Sequence, residues 1–133
     1  MRASEDLAWS SAVAPVRHTS NGDFSAGGVQ RNGRRNATAF CDAGQVSSGA
    51  SATFILEQSD DDSTYETLAS SPAISAATAP WNGILEARPS RSWVRVTLRT
   101  TGCDATHTVT ASAVLALADG PSTPEANVNA VVV

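Results

Sequence analysis

The stretch SWVRVTLRT, residues 92–100, sets Val94, Val96 and Leu98 at every second position, with Arg95, Thr97 and Arg99 between them. Successive side chains of an extended backbone point to opposite faces, so this spacing describes a strand with one face on a core and one in water. A helix would put Val96 on the far side from Val94. The same period recurs in THTVTASAVLAL, where Val109, Ala111, Ala113, Leu115 and Leu117 share a face opposite Thr108, Thr110 and Ser112. His107 falls on that inward face, which predicts a hydrogen-bonded histidine at the core edge. In SATFILEQ, Ala52, Phe54 and Leu56 line one face, and Ile55 lies opposite with Thr53 and Glu57.

Helical periodicity is absent elsewhere, and short β-prone runs alternate with Gly, Asn, Asp, Ser and Pro clusters. That regular punctuation is the pattern of a sandwich or barrel. Strands are expected at Val13 to His18, Asn36 to Asp42, Ser51 to Gln58, Tyr65 to Leu68, Ile84 to Ala87, Ser92 to Thr100 and Thr106 to Leu117. The fold class is therefore all-β, a single antiparallel β-sandwich of jelly-roll type with extended N- and C-terminal arms. Residues 1–12 form the N-terminal arm, 13–117 the sandwich, and 118–133 a C-terminal linker and apolar tail.

The two ends differ in character from the middle. ADGPSTPEA, after Leu117, has two prolines and no periodicity, and reads as an extended linker. NVNAVVV then brings Val128, Val131, Val132 and Val133 into a short β-prone run, and a lone strand of that kind has no stability in water. It is expected to dock, on its own sandwich or on another subunit. Leu7 and Trp9 raise the same question at the other end. Exchange of such extended segments between subunits is one way to build an assembly.

A chain of 133 residues fits one domain and buries roughly two-thirds of its unfolded surface. Its apolar residues are largely Ala and Val, with three Trp, three Phe and one Tyr, so the core is thin. All nine basic residues are Arg, and the net charge is -4. Arg31, Arg34 and Arg35 are the one basic concentration, and they lack the interleaved aromatics of a single-strand nucleic-acid groove. No run approaches a membrane span. Glu5 and Asp6 stand where a signal peptide would be basic, so synthesis in the cytoplasm without a secretion signal is expected. Cys41 and Cys103 have no CxxC spacing and His18 and His107 are not at ligand spacing, so no metal and no cofactor is expected. Two buried thiols is the favoured state of the cysteines. No nucleophile elbow, phosphate loop or HExxH motif is present, and GDFSAGG lacks the Lys and helix of a phosphate cradle. These absences favour a non-enzymatic protein with no catalytic residues.

Asp60, Asp61 and Asp62 sit between two β-prone runs in ILEQSDDDSTYETL. A calcium loop needs acidic residues at alternate positions and a Gly for the sharp wrap, and neither is present. Asp and Ser accept hydrogen bonds from their own backbone and so favour chain reversal, which predicts a tight hairpin turn.

That hairpin also carries a resemblance. A strand ending Glu-Gln-Ser-Asp-Asp, a restart at Ser63, Thr64 and Tyr65, a Ser-Pro connection, and then Ser92-Trp93-Val94-Arg95-Val96-Thr97 is similar to small β-sandwich structural proteins of tailed bacteriophages. The likeness runs from about Asn36 to Leu117. Discoidin-type carbohydrate-binding sandwiches share the same hairpin and the same later strand. The chain departs from both patterns, with Asp62 in place of Gly, Tyr65 in place of Trp and Trp93 in place of Tyr. Asp62 puts the turn type in question, because Gly tolerates positive φ far better than Asp. The phage resemblance implies a capsid decoration or cement protein on the outer surface of a phage head. Its partners would be the major capsid protein and itself, as a homotrimer, with no nucleic acid and no membrane. Leu7, Trp9, Trp81, Val128, Val131, Val132 and Val133 are the candidate subunit and capsid contacts. A tail or head-fibre component is a related role. A glycan is the partner if the discoidin likeness carries the function, with Trp81, Tyr65 or Trp93 as stacking platforms.

Overall fold

The computed structural model describes residues 8–119, which form two antiparallel sheets packed face to face. The strands are β1 (Ala8–His18), β2 (Gly22–Phe24), β3 (Val29–Gln30), β4 (Asn36–Val46), β5 (Ser51–Ser59), β6 (Glu66–Ser70), β7 (Trp81–Ala87), β8 (Trp93–Thr101) and β9 (Val109–Ala118). The first sheet has the order β1-β9-β4-β7 and the second β2-β8-β5-β6, with β3 also on β8. Because β2 and β3 pair with the same side of β8, they act as one interrupted strand. Two four-stranded sheets then remain, in the order of a jelly roll. Of the connections, only the one from β5 to β6 turns back within its own sheet.

The core follows the alternation. Phe54, Leu56, Val94, Val96 and Leu98 project from the second sheet, each at 0% exposure. Opposite them are Leu85, Val109, Leu115 and Leu117, with Ala37, Ala39, Ala43, Ala111 and Ala113 between. Large side chains on one sheet thus fill the space left by alanines on the other, as dense packing requires.

Several boundaries differ from expectation. β1 begins at Ala8 rather than Val13, so residues 8–12 pair with β9 and belong to the sheet rather than to an arm. Leu7, Val128, Val131, Val132 and Val133 lie outside the described residues, as do the remaining parts of both arms. GDFSAGG is not simply a loop, since Gly22–Phe24 pairs with Leu98–Thr100. β9 begins at Val109 rather than Thr106, and His107 is exposed rather than inward. The reason is local. Asp104 Oδ1 accepts hydrogen bonds from the backbone N–H of Thr106 and of His107, each at 2.8 Å, which holds the chain in a turn until Thr108. Cys41 is buried but Cys103 is half-buried, and both are free thiols.

Candidate functional site on the outer faces of the sheets

The outward positions of the first sheet are fixed by register. Trp9 of β1 lies opposite Ala116 of β9, which lies opposite Thr38 of β4. One step along, Ser11, Val114 and Phe40 form the next row, and Phe40 lies opposite Ile84 of β7. With only Ala116 beside it, the Trp9 ring leans across β9 and stacks on Phe40, centroids 5.7 Å apart and planes at 25°. Trp9 is nonetheless 57% exposed and Val114 39% exposed. An aromatic pair held in place but left in water is the form of a contact surface. Farther along the Trp9–Ala116 row, Thr38 Oγ1 and Glu86 Oε1 are buried without hydrogen-bond partners.

Trp81, the other indole singled out in the sequence, is placed differently. It stands at the start of β7, half-buried, and stacks on Phe54 of the opposite sheet at 6.0 Å and 20°. Its ring folds along its own strand over Gly83, where a Cβ would overlap the indole. Trp9 is presented to solvent, whereas Trp81 closes the edge of the core.

The three aspartates form the β5–β6 turn. Asp61 Oδ1 accepts from the backbone N–H of Thr64 and of Ser63, both 2.9 Å, and from the Ser59 hydroxyl at 2.8 Å. These bonds, that from Thr64 foremost, hold its carboxyl below the usual range. Asp62 adopts φ 58°, the left-handed conformation that Gly takes more readily. Its carboxylate accepts from the Tyr65 hydroxyl, which repays that conformation with a hydrogen bond. Burial and then the Asp62 charge push the Tyr65 hydroxyl well above its ordinary value. Gly28, from the opposite edge of the sheet, meets this pair so closely that any side chain there would collide with both.

Under the Tyr65 ring lies Arg95, its guanidinium carbon 3.8 Å from the centroid. Arg95 Nε donates to Glu57 Oε1 at 2.8 Å, and the Thr97 hydroxyl donates to the same oxygen at 2.5 Å. This lid accounts for the burial of Glu57 and Thr97, and Ile55, opposite Thr97, is buried beside them on what the sequence suggested was a wet face. Arg99 pairs with Asp23 across to β2, and Arg91 bridges Asp60 and Glu66. Gln58, Asp60, Asp61, Thr64, Tyr65, Glu66 and Arg91 line a shallow groove of about 210 Å³. Its polar groups are largely satisfied by one another, Gln58 Nε2 donating to Glu66 Oε1 at 2.6 Å. Among the described residues no three His, Cys, Asp or Glu side chains are grouped to hold a metal ion. The Arg cluster ties loops together, with Arg31 Nε donating to the Arg91 carbonyl at 2.9 Å and Arg35 Nε to that of Asp119 at 3.2 Å.

Phe40 and Val114 were absent from the residues singled out in the sequence. Both were legible, because Ala39, Cys41, Ala113 and Leu115 set the inward phase and leave them outward.

No family model matches the chain, and no curated protein matches it. Among solved structures, the PBSX exported protein XepA superposes with a TM-score of 0.63 at 13% identity, over 92% of this chain and 40% of that one. A structure of infectious bursal disease virus, Gx strain, superposes with a TM-score of 0.56 at 11% identity, over 89% of this chain and 33% of that one. The chain thus spans less than half the length of either, and at these identities the likeness is one of fold.

Proposed function

We propose that the chain is a non-enzymatic virion structural protein, and specifically a capsid decoration or cement protein bound to the outer surface of a phage head. The observation that carries this is the Trp9–Phe40 stack, an ordered aromatic pair left in water on the outer face of a jelly-roll sheet. Buried aromatic anchors dominate the energetics of protein interfaces, and this one awaits a partner. The fold neighbours, a phage exported protein and a virus structure, support a virion role. The partner is then the major capsid protein, and self-association, expected from the sequence as a homotrimer, accompanies it. Heads assembled without this protein should retain the purified chain on pelleting. Trp9→Ala should weaken that binding by about 30-fold, the loss expected for a central aromatic anchor, while circular dichroism stays native. A folded chain that remains in the supernatant would sink this function.

A second function is favoured by the groove beside Tyr65. Planar amide, carboxylate and guanidinium groups next to an aromatic ring are the means of holding sugar hydroxyls. Trp81 is turned into the core and one face of Tyr65 is taken by Arg95, so the platforms first expected are mostly occupied. A glycan array probed with the chain and with Arg91→Ala tests it, and a lack of any Arg91-dependent signal would remove it.

A further inference from the structure

Among the described residues the first sheet ends at β1 on one side and β7 on the other, and the second at the β2/β3 strand and at β6. Native proteins disable such edges, whose free N–H and C=O groups otherwise recruit another strand. Three of these four are disabled. β1 carries Pro15 and two register shifts against β9. The β2/β3 edge is broken into pieces of three and two residues. β6 has five residues and a register shift against β5. β7 differs on every count: seven residues, no proline, and unbroken one-to-one register with Ala37–Ala43.

We propose that β7 pairs antiparallel with β7 of a second copy of this chain, joining two first sheets into one of eight strands. The sequence Trp81-Asn82-Gly83-Ile84-Leu85-Glu86-Ala87 is complementary to itself about Ile84. In that register Trp81 meets Ala87 of the other copy and Gly83 meets Leu85, so large inward side chains face small ones. On the outward face Asn82 meets Glu86. Asn82 is exposed and Glu86 half-buried, and an amide that donates lies opposite a carboxylate that accepts. Directly opposite residues lie close enough for that bond. Shifting the twofold axis to Gly83 or Leu85 would set Asn82 or Glu86 against Ile84 instead. A shift to Glu86 would set two carboxylates together. Only the axis at Ile84 uses all seven residues and sets an amide against each carboxylate.

The dimer places both Trp9–Phe40 stacks on one continuous face roughly 34 Å wide, given ~4.8 Å between strands. This twofold pairing stands in place of the threefold assembly expected from the sequence. It concerns self-association alone, so capsid binding and dimerisation are separately measurable.

Sedimentation velocity on the full chain over a wide concentration range tests it. A reversible dimer is expected. Asn82→Asp, at an exposed position, places like charges opposite one another twice per dimer and should weaken association about tenfold. Adding Glu86→Asn to Asn82→Asp restores a carboxylate–amide pair and should restore dimerisation. A chain monomeric at every concentration, or a trimer indifferent to Asn82→Asp, would overturn the proposal. So would a dimer that forms only after residues 120–133 are removed, since the edge would then belong to the chain's own segment.

Discussion

Replacing Arg95 by Met tests what holds the outer face of the second sheet. Glu57, with a side chain 11% exposed, relies on Arg95 Nε and the Thr97 hydroxyl for the bonds that compensate its burial. Met keeps the aliphatic stem beneath the Tyr65 ring and removes the charge. Stripping the partner from a fully buried ion costs about 3–5 kcal/mol, whereas an exposed pair contributes about 0.2–1 kcal/mol. Arg95 is 31% exposed, which places this pair between those limits, at about 2 kcal/mol including the lost contact with the ring. For a domain of this size that is a fall in Tm of roughly 6–10 °C. Glu57→Gln in the Arg95→Met background removes the uncompensated charge and should recover about 1 kcal/mol. Urea and thermal unfolding of the four proteins close a double-mutant cycle, with an expected coupling of at least about 1 kcal/mol. If Arg95→Met lies within about 0.5 kcal/mol of the parent, or the coupling vanishes, the lid contributes nothing to stability and its account here is wrong.

Gly83→Ala forces the Trp81 ring off its seat and loosens its stack on Phe54, so it should destabilise by about 1–2 kcal/mol, with Trp81→Val relieving most of that loss in urea melts. His18 is buried against Phe24, centroids 4.4 Å apart, with Nε2 unpartnered, and burial lowers its pKa from 6.5. The unfolded chain therefore binds this proton more readily, and stability should fall as pH drops below about 6.5, a slope that His18→Phe abolishes. Asp23, Asp61, Glu66 and Asp104 are shifted downward, through hydrogen bonds from Arg99, Thr64, Arg91 and His107 respectively. Their contribution is present above the unfolded carboxylate range and is lost as pH falls through the folded values. A second acid limb in the His18→Phe titration would show it.

How much of this was legible in the sequence depends on what fixes each element. β5, β8 and β9 were found to within a few residues because strict alternation and burial are the same fact in a strand with one buried face. β1 was cut short because Ser10 and Ser11 break the apolar alternation, and only pairing with β9 extends it to Ala8. β2 and β3, three and two residues long, carry no period and exist because β8 offers them an edge. The Asp60–Asp62 turn was readable from its chemistry, but not the part Asp62 plays in holding Tyr65, a bond between residues three apart that depends on the left-handed backbone at Asp62. Ile55 carries the signal that this face is not wet throughout, since a β-branched apolar side chain there implies cover, and it is 5% exposed.

The two outer faces divide the possible roles between them. On the second sheet the charges satisfy one another, Arg95 with Glu57, Arg99 with Asp23, Arg91 with Asp60 and Glu66, so a ligand would have to break existing bonds to gain its own. The ion pairs formed between described residues lie on this face, at the sandwich end where the β7–β8 loop meets the β5–β6 turn, or in the Asp104 turn, and none is on the outer face of the first sheet. There Trp9 and Val114 stand exposed beside the half-buried Phe40, with Ser11, Asp42 and Asn82 at other outward positions. Exposed apolar side chains of this kind gain from any partner that removes them from water. The aspartates that dominate the sequence to the eye are therefore spent on a turn, and the exposed apolar surface lies instead on the first sheet, where Trp9 was conspicuous in the sequence and Val114 and Phe40 were marked only by their phase.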